Sequence, residues 1–187
     1  MSHVVQSLLT PHPDAWVSRF APLIYTGGSV LDLACGNGRH SRLFLDSEHP
    51  VTAVDRSVAA MDGLKTRKGL ELIEADIEDG PWPLAGRTFD AIVVVNYLHR
   101  PLLPILAESL NGGGMLIYRT FGVGNEKYGK PSNPDFLLRP NELIESFKEL
   151  EVVAFESGDT GTAVVQRICA VKRDFTRAGE EPLPLPV

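Results

Sequence analysis

Short apolar runs alternate along the chain with stretches whose apolar residues recur three and four apart, a pattern that predicts strands interleaved with helices. The run VLDL, Val30 to Leu33, ends in a turn holding Gly36 and Gly38, and Arg39 to Ser47 continues at helical spacing. PVTAVDRS supplies a second strand ending at Asp55, which completes a strand–helix–strand unit. Ser57 to Thr66 reads as a helix with Ser57 as its N-cap, and GLELIEADIED as a third strand whose acids gather at its C-terminal end. FDAIVVVNYLH carries consecutive apolar residues from Ala91 to Val95, the mark of a strand covered on both faces and therefore central.

Pro101 suits the first turn of a helix running to about Leu110, and the break Gly112-Gly113-Gly114 leads into the strand MLIYRTF. The next stretch, from Phe121 to Pro140, is too long and too rich in Gly, Pro and Asn for a plain connection, so it reads as a lid or binding loop. A helix near Asn141 to Leu150 follows. The strands LEVVAFES and AVVQRICAVKR, joined by GDTGT, then predict an antiparallel hairpin at one side of the sheet. The chain is thus α/β, with a mostly parallel seven-stranded sheet, helices on both faces and a C-terminal antiparallel hairpin.

With 187 residues, the chain suits one domain over residues 1–178, with a Pro-rich tail at 179–187 expected to be extended or disordered. No apolar run reaches membrane-span length, and the first residues lack the basic and apolar regions of a secretory signal, so the expected location is the cytoplasm. Cys35 and Cys169 form no pair at metal or redox spacing and read as reduced structural residues. The net charge of −6 argues against a broad nucleic-acid surface. Basic groups at Lys65, Arg67, Lys68, Arg167, Lys172, Arg173 and Arg177 read as solvated faces. The histidines show no metal-ligand spacing, so no metal is expected.

A strand that ends in a glycine turn and feeds a helix aims backbone N–H groups outward, as a cofactor cradle does. A dinucleotide fingerprint would place a third glycine where Ser41 stands. Here the pattern is Asp32-x-Ala34-x-Gly36-x-Gly38, and an acid before the glycines repels phosphate but suits an ammonium group.

LDLACGNGRHS resembles motif I of the class I S-adenosylmethionine-dependent methyltransferases, with Ala34 where most members carry glycine. The resemblance implies a Rossmann-like fold, S-adenosyl-L-methionine as cofactor, and a turn that passes under the cofactor's amino-acid and ribose parts. It implies that Asp32 helps bind the amino group, that Asp55, with Arg56 beside it, receives the ribose hydroxyls, and that Asp76 and the Ile77 N–H meet the adenine. His40 lies near the carboxylate end as a binding or capping residue, and Asn96 and Tyr97 end the fourth strand near the methyl group. The fuller set NYLHRP, YRTF, GNEKYGKP and NPDFLL is similar to the small bacterial tellurite-resistance-type methyltransferases, in which an acid is expected where Arg119 stands.

The implied reaction is in-line methyl transfer to a small-molecule or oxyanion acceptor; the alternative is a non-catalytic S-adenosylmethionine-binding sensor or partner module. His99 is the candidate general base, against a surface histidine leading a helix. Tyr97 either orients the acceptor or packs on the cofactor, and Arg119 either pairs with an anionic substrate group or makes a surface salt bridge. Trp16, Phe20 and Tyr25 stand at helical spacing in a segment that either closes over the cofactor or packs into the core.

Overall fold

The computed structural model describes residues 12–61 and 63–173, so the tail at 179–187 and Arg177 lie outside the described residues. Seven strands make one sheet: β1 (Val30–Leu33), β2 (Val51–Asp55), β3 (Leu70–Glu74), β4 (Phe89–Val95), β5 (Leu110–Phe121), β6 (Glu151–Asp159) and β7 (Val164–Val171). Their order is β3-β2-β1-β4-β5-β7-β6. The first five pair in parallel, and β7 runs antiparallel to both β5 and β6. The described α-helices are α1 (Ala15–Phe20), α2 (Arg39–Asp46), α3 (Leu102–Glu108) and α4 (Glu142–Ser146).

Strand alternation divides the core into two layers. Leu31, Leu33, Ile92, Val94, Leu116 and Tyr118 face α3 and α4 through Leu103, Leu106, Leu143 and Phe147. Val30, Ala91, Val93, Val95 and Ile117 point the other way, onto Trp16 and Phe20 of α1 and Phe44 of α2. With both faces covered, β4 has no polar side to present, hence its unbroken apolar run.

Trp16 and Phe20 are core residues, and the Trp16 indole N–H donates to the Ile168 carbonyl at 3.2 Å; Tyr25 is 62% exposed. Both cysteines are free and buried.

Three elements differ from expectation. In place of a helix over 57–66 there is a single 3-10 turn, Ala59–Met61, in which the N–H groups of Met61 and then Leu64 bond to carbonyls three residues back, at Val58 and Met61, rather than four. The triple glycine is part of β5 rather than a break before it. The strand shifts register there against β4, and a Cβ on Gly114 would sit 2.8 Å from the Asn111 carbonyl oxygen. Lys172 is no solvated face: its ammonium donates to the carbonyls of Ala107, Glu108 and Leu110 and so closes the C-terminal end of α3.

Candidate active site

The strand order reverses between β1 and β4, and the crevice beyond their C-terminal ends is where an open α/β sheet binds ligands. The turn after β1 fills one side of it. Ala34 (φ 53°), Gly36 (φ 57°) and Gly38 (φ 71°) all adopt left-handed backbone, which costs the alanine about 1–2 kcal/mol. The turn is held in shape by Asp55 at the end of β2, whose carboxylate accepts from Gly36 N–H at 2.8 Å and from Ser57 N–H at 3.1 Å.

Three cavities open along this crevice and share walls. One of about 280 Å³ is lined by Ala34, Asp55, Arg56, Asp76, Ile77, Glu78 and Tyr97. A smaller cleft beside the turn is bounded by Ala34, Gly36, Asn37, Arg39, His40 and Asn96. A third, of about 380 Å³, lies between Glu78, Asn96, Tyr97 and Thr120 on the sheet side and Lys130 to Asn133 and Phe136 of the long loop. Asn96 and Tyr97 therefore stand where the cavities meet. Asn96 is itself left-handed (φ 59°), which turns the chain at the crevice floor.

The walls of the first cavity are acceptor-rich. Beyond β3, Asp76 folds back so that one carboxylate oxygen accepts from Glu78 N–H at 2.9 Å and Asp79 N–H at 3.3 Å. Those N–H groups hold its carboxyl below the usual range. The Tyr97 hydroxyl is buried beside the Glu78 carboxylate, and burial, with that carboxylate, drives its pKa far up, so it stays protonated.

Gly38 lines no cavity: a Cβ there would lie 2.2 Å from the Met61 sulfur and 2.6 Å from Leu64, so this glycine serves helix packing. Asp32 also lies behind the walls rather than in them. It is 2% exposed and accepts from the Ser41 hydroxyl at 2.6 Å. Burial lifts its pKa to about 6, against the pull of the Ser41 hydrogen bond.

A raised carboxyl binds its proton more tightly in the folded state, so stability falls as pH rises from about 4 to about 6 and the full penalty stands at neutral pH. Asp32→Asn is accordingly expected to stabilise the fold by roughly 3 kcal/mol at pH 7.5 and by nothing near pH 4. Urea unfolding at the two values checks this, and an equal effect at both would refute it.

His40 is buried, and its Nε2 accepts from Asp14 N–H at 3.2 Å. Burial, helped by Arg39, pushes its pKa down to about 3, so it is neutral and ties α1 to α2. Arg119 lines none of the three cavities; it donates to the Asn96 side chain and makes a salt bridge, as one of its readings had it, but a largely buried one, 3.8 Å from the Asp14 carboxylate that also caps α1. It fixes Asn96 from behind. His99 is half-buried and lines none of the three cavities, with Asp76 in electrostatic reach.

Sequence reasoning passed over Asp14, Arg39 and Glu78. Asp14 had a signal, an acid directly before the helix AWVSRF, where an N-cap belongs. Glu78 stood in the acidic run EADIEDG with nothing to separate it from its neighbours.

A family model described as a methyltransferase domain matches residues 30–111. The chain is 34% identical over 189 aligned residues to the cypemycin N-terminal methyltransferase of a Streptomyces species, covering 97% of this chain and 69% of that protein. Among solved structures, TehB from Haemophilus influenzae superposes with a TM-score of 0.67 at 22% identity over 82% of this chain, which spans only 60% of the TehB chain. The 1,6-didemethyltoxoflavin-N1-methyltransferase of Burkholderia thailandensis, solved with 1,6-didemethyltoxoflavin and S-adenosylhomocysteine, gives 0.66 at 19% identity over 91% of this chain and 81% of its own. Kinship over nearly the whole chain, with the same sheet and a crevice at its reversal point, places this protein in the class I S-adenosylmethionine-dependent methyltransferases, enzymes whose cofactor is S-adenosylmethionine.

Proposed function

We propose that the chain moves the cofactor's methyl group onto a small organic acceptor seated in the 380 Å³ cavity, and that it works in the cytoplasm. The observation that carries this reading is the meeting of the two larger cavities at Tyr97 and Glu78, with Asn96 joining the acceptor cavity to the cleft by the turn. In-line displacement requires nucleophile, methyl and sulfur collinear within about 3–3.5 Å, and adjoining chambers with a shared wall supply that alignment.

The first cavity suits the nucleoside end of the cofactor, with Asp55 taking the ribose hydroxyls beside Arg56, and Asp76 and the Ile77 N–H meeting the adenine. Ala34, Gly36, His40 and Asn96 border the amino-acid end, while Asp32, from behind the turn, sets the local negative charge. The cofactor supplies an electrophilic methyl on a sulfonium. The chain's task is to orient the acceptor, with Asn96 and the protonated Tyr97 at the junction; Arg119 acts through Asn96.

Titration calorimetry tests the cofactor site: saturable binding of S-adenosylmethionine with none of NAD is expected, and the reverse would end the reading. Asp55→Ala is expected to weaken cofactor binding by roughly 1.5–3 kcal/mol, since a charged acceptor and the brace of the Gly36 turn go together. Unchanged affinity in a folded variant would remove Asp55 from the ribose site.

A further inference from the structure

The acceptor cavity is unusual in its charges. Of the side chains that bound both it and the cofactor cavity, Glu78 is the acid and Tyr97 the neutral partner. Arg119, the cation on the neighbouring strand, is turned away to Asn96 and Asp14. The cation among the cavity walls is Lys130 on the far loop; it is exposed, as Glu78 is, but unlike Glu78 it does not line the cofactor cavity. On the cofactor side, Asp55 and Asp76 add negative charge around Tyr97, with Arg56 and His99 acting on Asp76. The wall nearest the cofactor is therefore set to meet positive charge, and the apolar remainder, Leu98, Phe121 and Phe136, to meet a hydrocarbon or aromatic body.

We propose that the acceptor is an amine and that Glu78 is the residue that selects it; this deepens the methyl-transfer reading and rests on it. An amine that enters as its ammonium first gives a proton to solvent; the neutral amine then attacks the methyl carbon with its lone pair, the N–C bond forms as the C–S bond breaks, and the C–S pair stays on sulfur. S-adenosylhomocysteine is released, and the new ammonium gives its proton to solvent. Positive charge passes from sulfur to nitrogen during this step. A carboxylate beside the nitrogen is therefore bound more strongly in the transition state than before it, which is the condition for lowering a barrier.

An anionic nucleophile reverses every sign. A thiolate, phenolate or oxyanion starts negative beside Glu78, is repelled on entry, and loses charge as it reacts, so the carboxylate gives it nothing in the transition state. The same residue that favours amines excludes oxyanions. This narrows the broader expectation of a small-molecule or oxyanion acceptor. The Streptomyces relative is named an N-terminal methyltransferase, in line with an amine acceptor, and the Burkholderia protein an N1-methyltransferase, in line with a nitrogen acceptor.

The test uses a matched pair of probes, 2-phenylethylamine and 3-phenylpropionate, titrated into the full chain with S-adenosylhomocysteine saturating and followed by NMR. The amine is expected to bind at least about tenfold more tightly than the acid, and Glu78→Gln to erase most of that preference while Glu78→Asp keeps part of it. Equal binding, a preference for the acid, binding of neither, or a preference untouched in Glu78→Gln overturns the proposal. S-adenosylhomocysteine release from amine, thiol, phenol and oxyanion panels adds the catalytic readout. Turnover of anionic acceptors with amines inert would overturn the amine assignment while leaving methyl transfer standing, whereas failure to bind S-adenosylmethionine would overturn methyl transfer itself.

Discussion

Exchanging Lys130, Pro131, Ser132 and Asn133 for an alternating Gly/Ser link is expected to leave S-adenosylmethionine affinity within a few-fold and to lower turnover by about 100-fold or more. These four residues wall the 380 Å³ cavity and touch neither the 280 Å³ cavity nor the cleft beside the glycine turn. The loss should therefore fall on the acceptor alone. The replaced stretch begins after Asn125, which is buried and braces the loop by donating to the Pro131 carbonyl and accepting from Val164 N–H. Of these, only the Pro131 carbonyl belongs to the replaced stretch, and a Gly/Ser link still offers a carbonyl there, so the variant should fold. Calorimetry for the cofactor and S-adenosylhomocysteine release for the acceptor separate the two effects. Normal turnover in the variant would make the loop a plain connection.

Glu142→Ala should cost about 3 kcal/mol of stability, the lower end of the range for breaking a buried ion pair because Arg100 is partly exposed. The Glu142 side chain is 3% exposed and accepts from Arg100 Nε at 2.7 Å, from Arg100 Nη2 at 3.1 Å and from Arg139 N–H at 2.7 Å. Through the same guanidinium, Arg100 donates to the carbonyls of Asp135 and Leu137, so the pair anchors the part of the loop that bears Phe136. Burial alone would raise the Glu142 pKa, but the Arg100 and Arg139 hydrogen bonds outweigh it and hold the carboxyl below 4.5. A depressed carboxyl contributes stability above its unfolded value and loses it as pH falls through the folded one. The gap between wild type and variant should thus be full at pH 7 and close progressively below about pH 4.5 in urea unfolding. A gap that stayed constant down to pH 3 would contradict the ion-pair account.

Features confined to one stretch of chain were the legible ones. The glycine turn, the acids closing β2 and β3, and the apolar run Ala91 to Val95 of β4 each follow from spacing within a dozen residues, and each stands where the spacing put it. Ser57 to Thr66 misled because its apolar spacing is helical, yet its backbone closes in three-residue turns, and the Asp55 and Glu74 carboxylates that accept from Ser57 and Val58 N–H tie it to the ends of β2 and β3, which lie side by side only in the fold. Arg119 was illegible for a similar reason. Its partners, Asn96 and Asp14, come from β4 and from the start of α1, and no periodicity links positions so far apart. Asp32 was read correctly as an acid before the turn, but its burial depends on Ser41 returning from α2 to cover it.

The position of β7 has a consequence for how the protein is made. Although β7 is the latest described strand to leave the ribosome, it lies between β5 and β6, and Ile168 on it receives the indole of Trp16 from the first described helix. Until Val164 to Val171 has emerged, β5 has a bare edge, β6 has no neighbour, and one face of the inner layer lacks its cover. The nascent chain must therefore wait in an open, adhesive form and close in a late step that joins its two ends. A message truncated before that strand would yield aggregate, not a smaller enzyme.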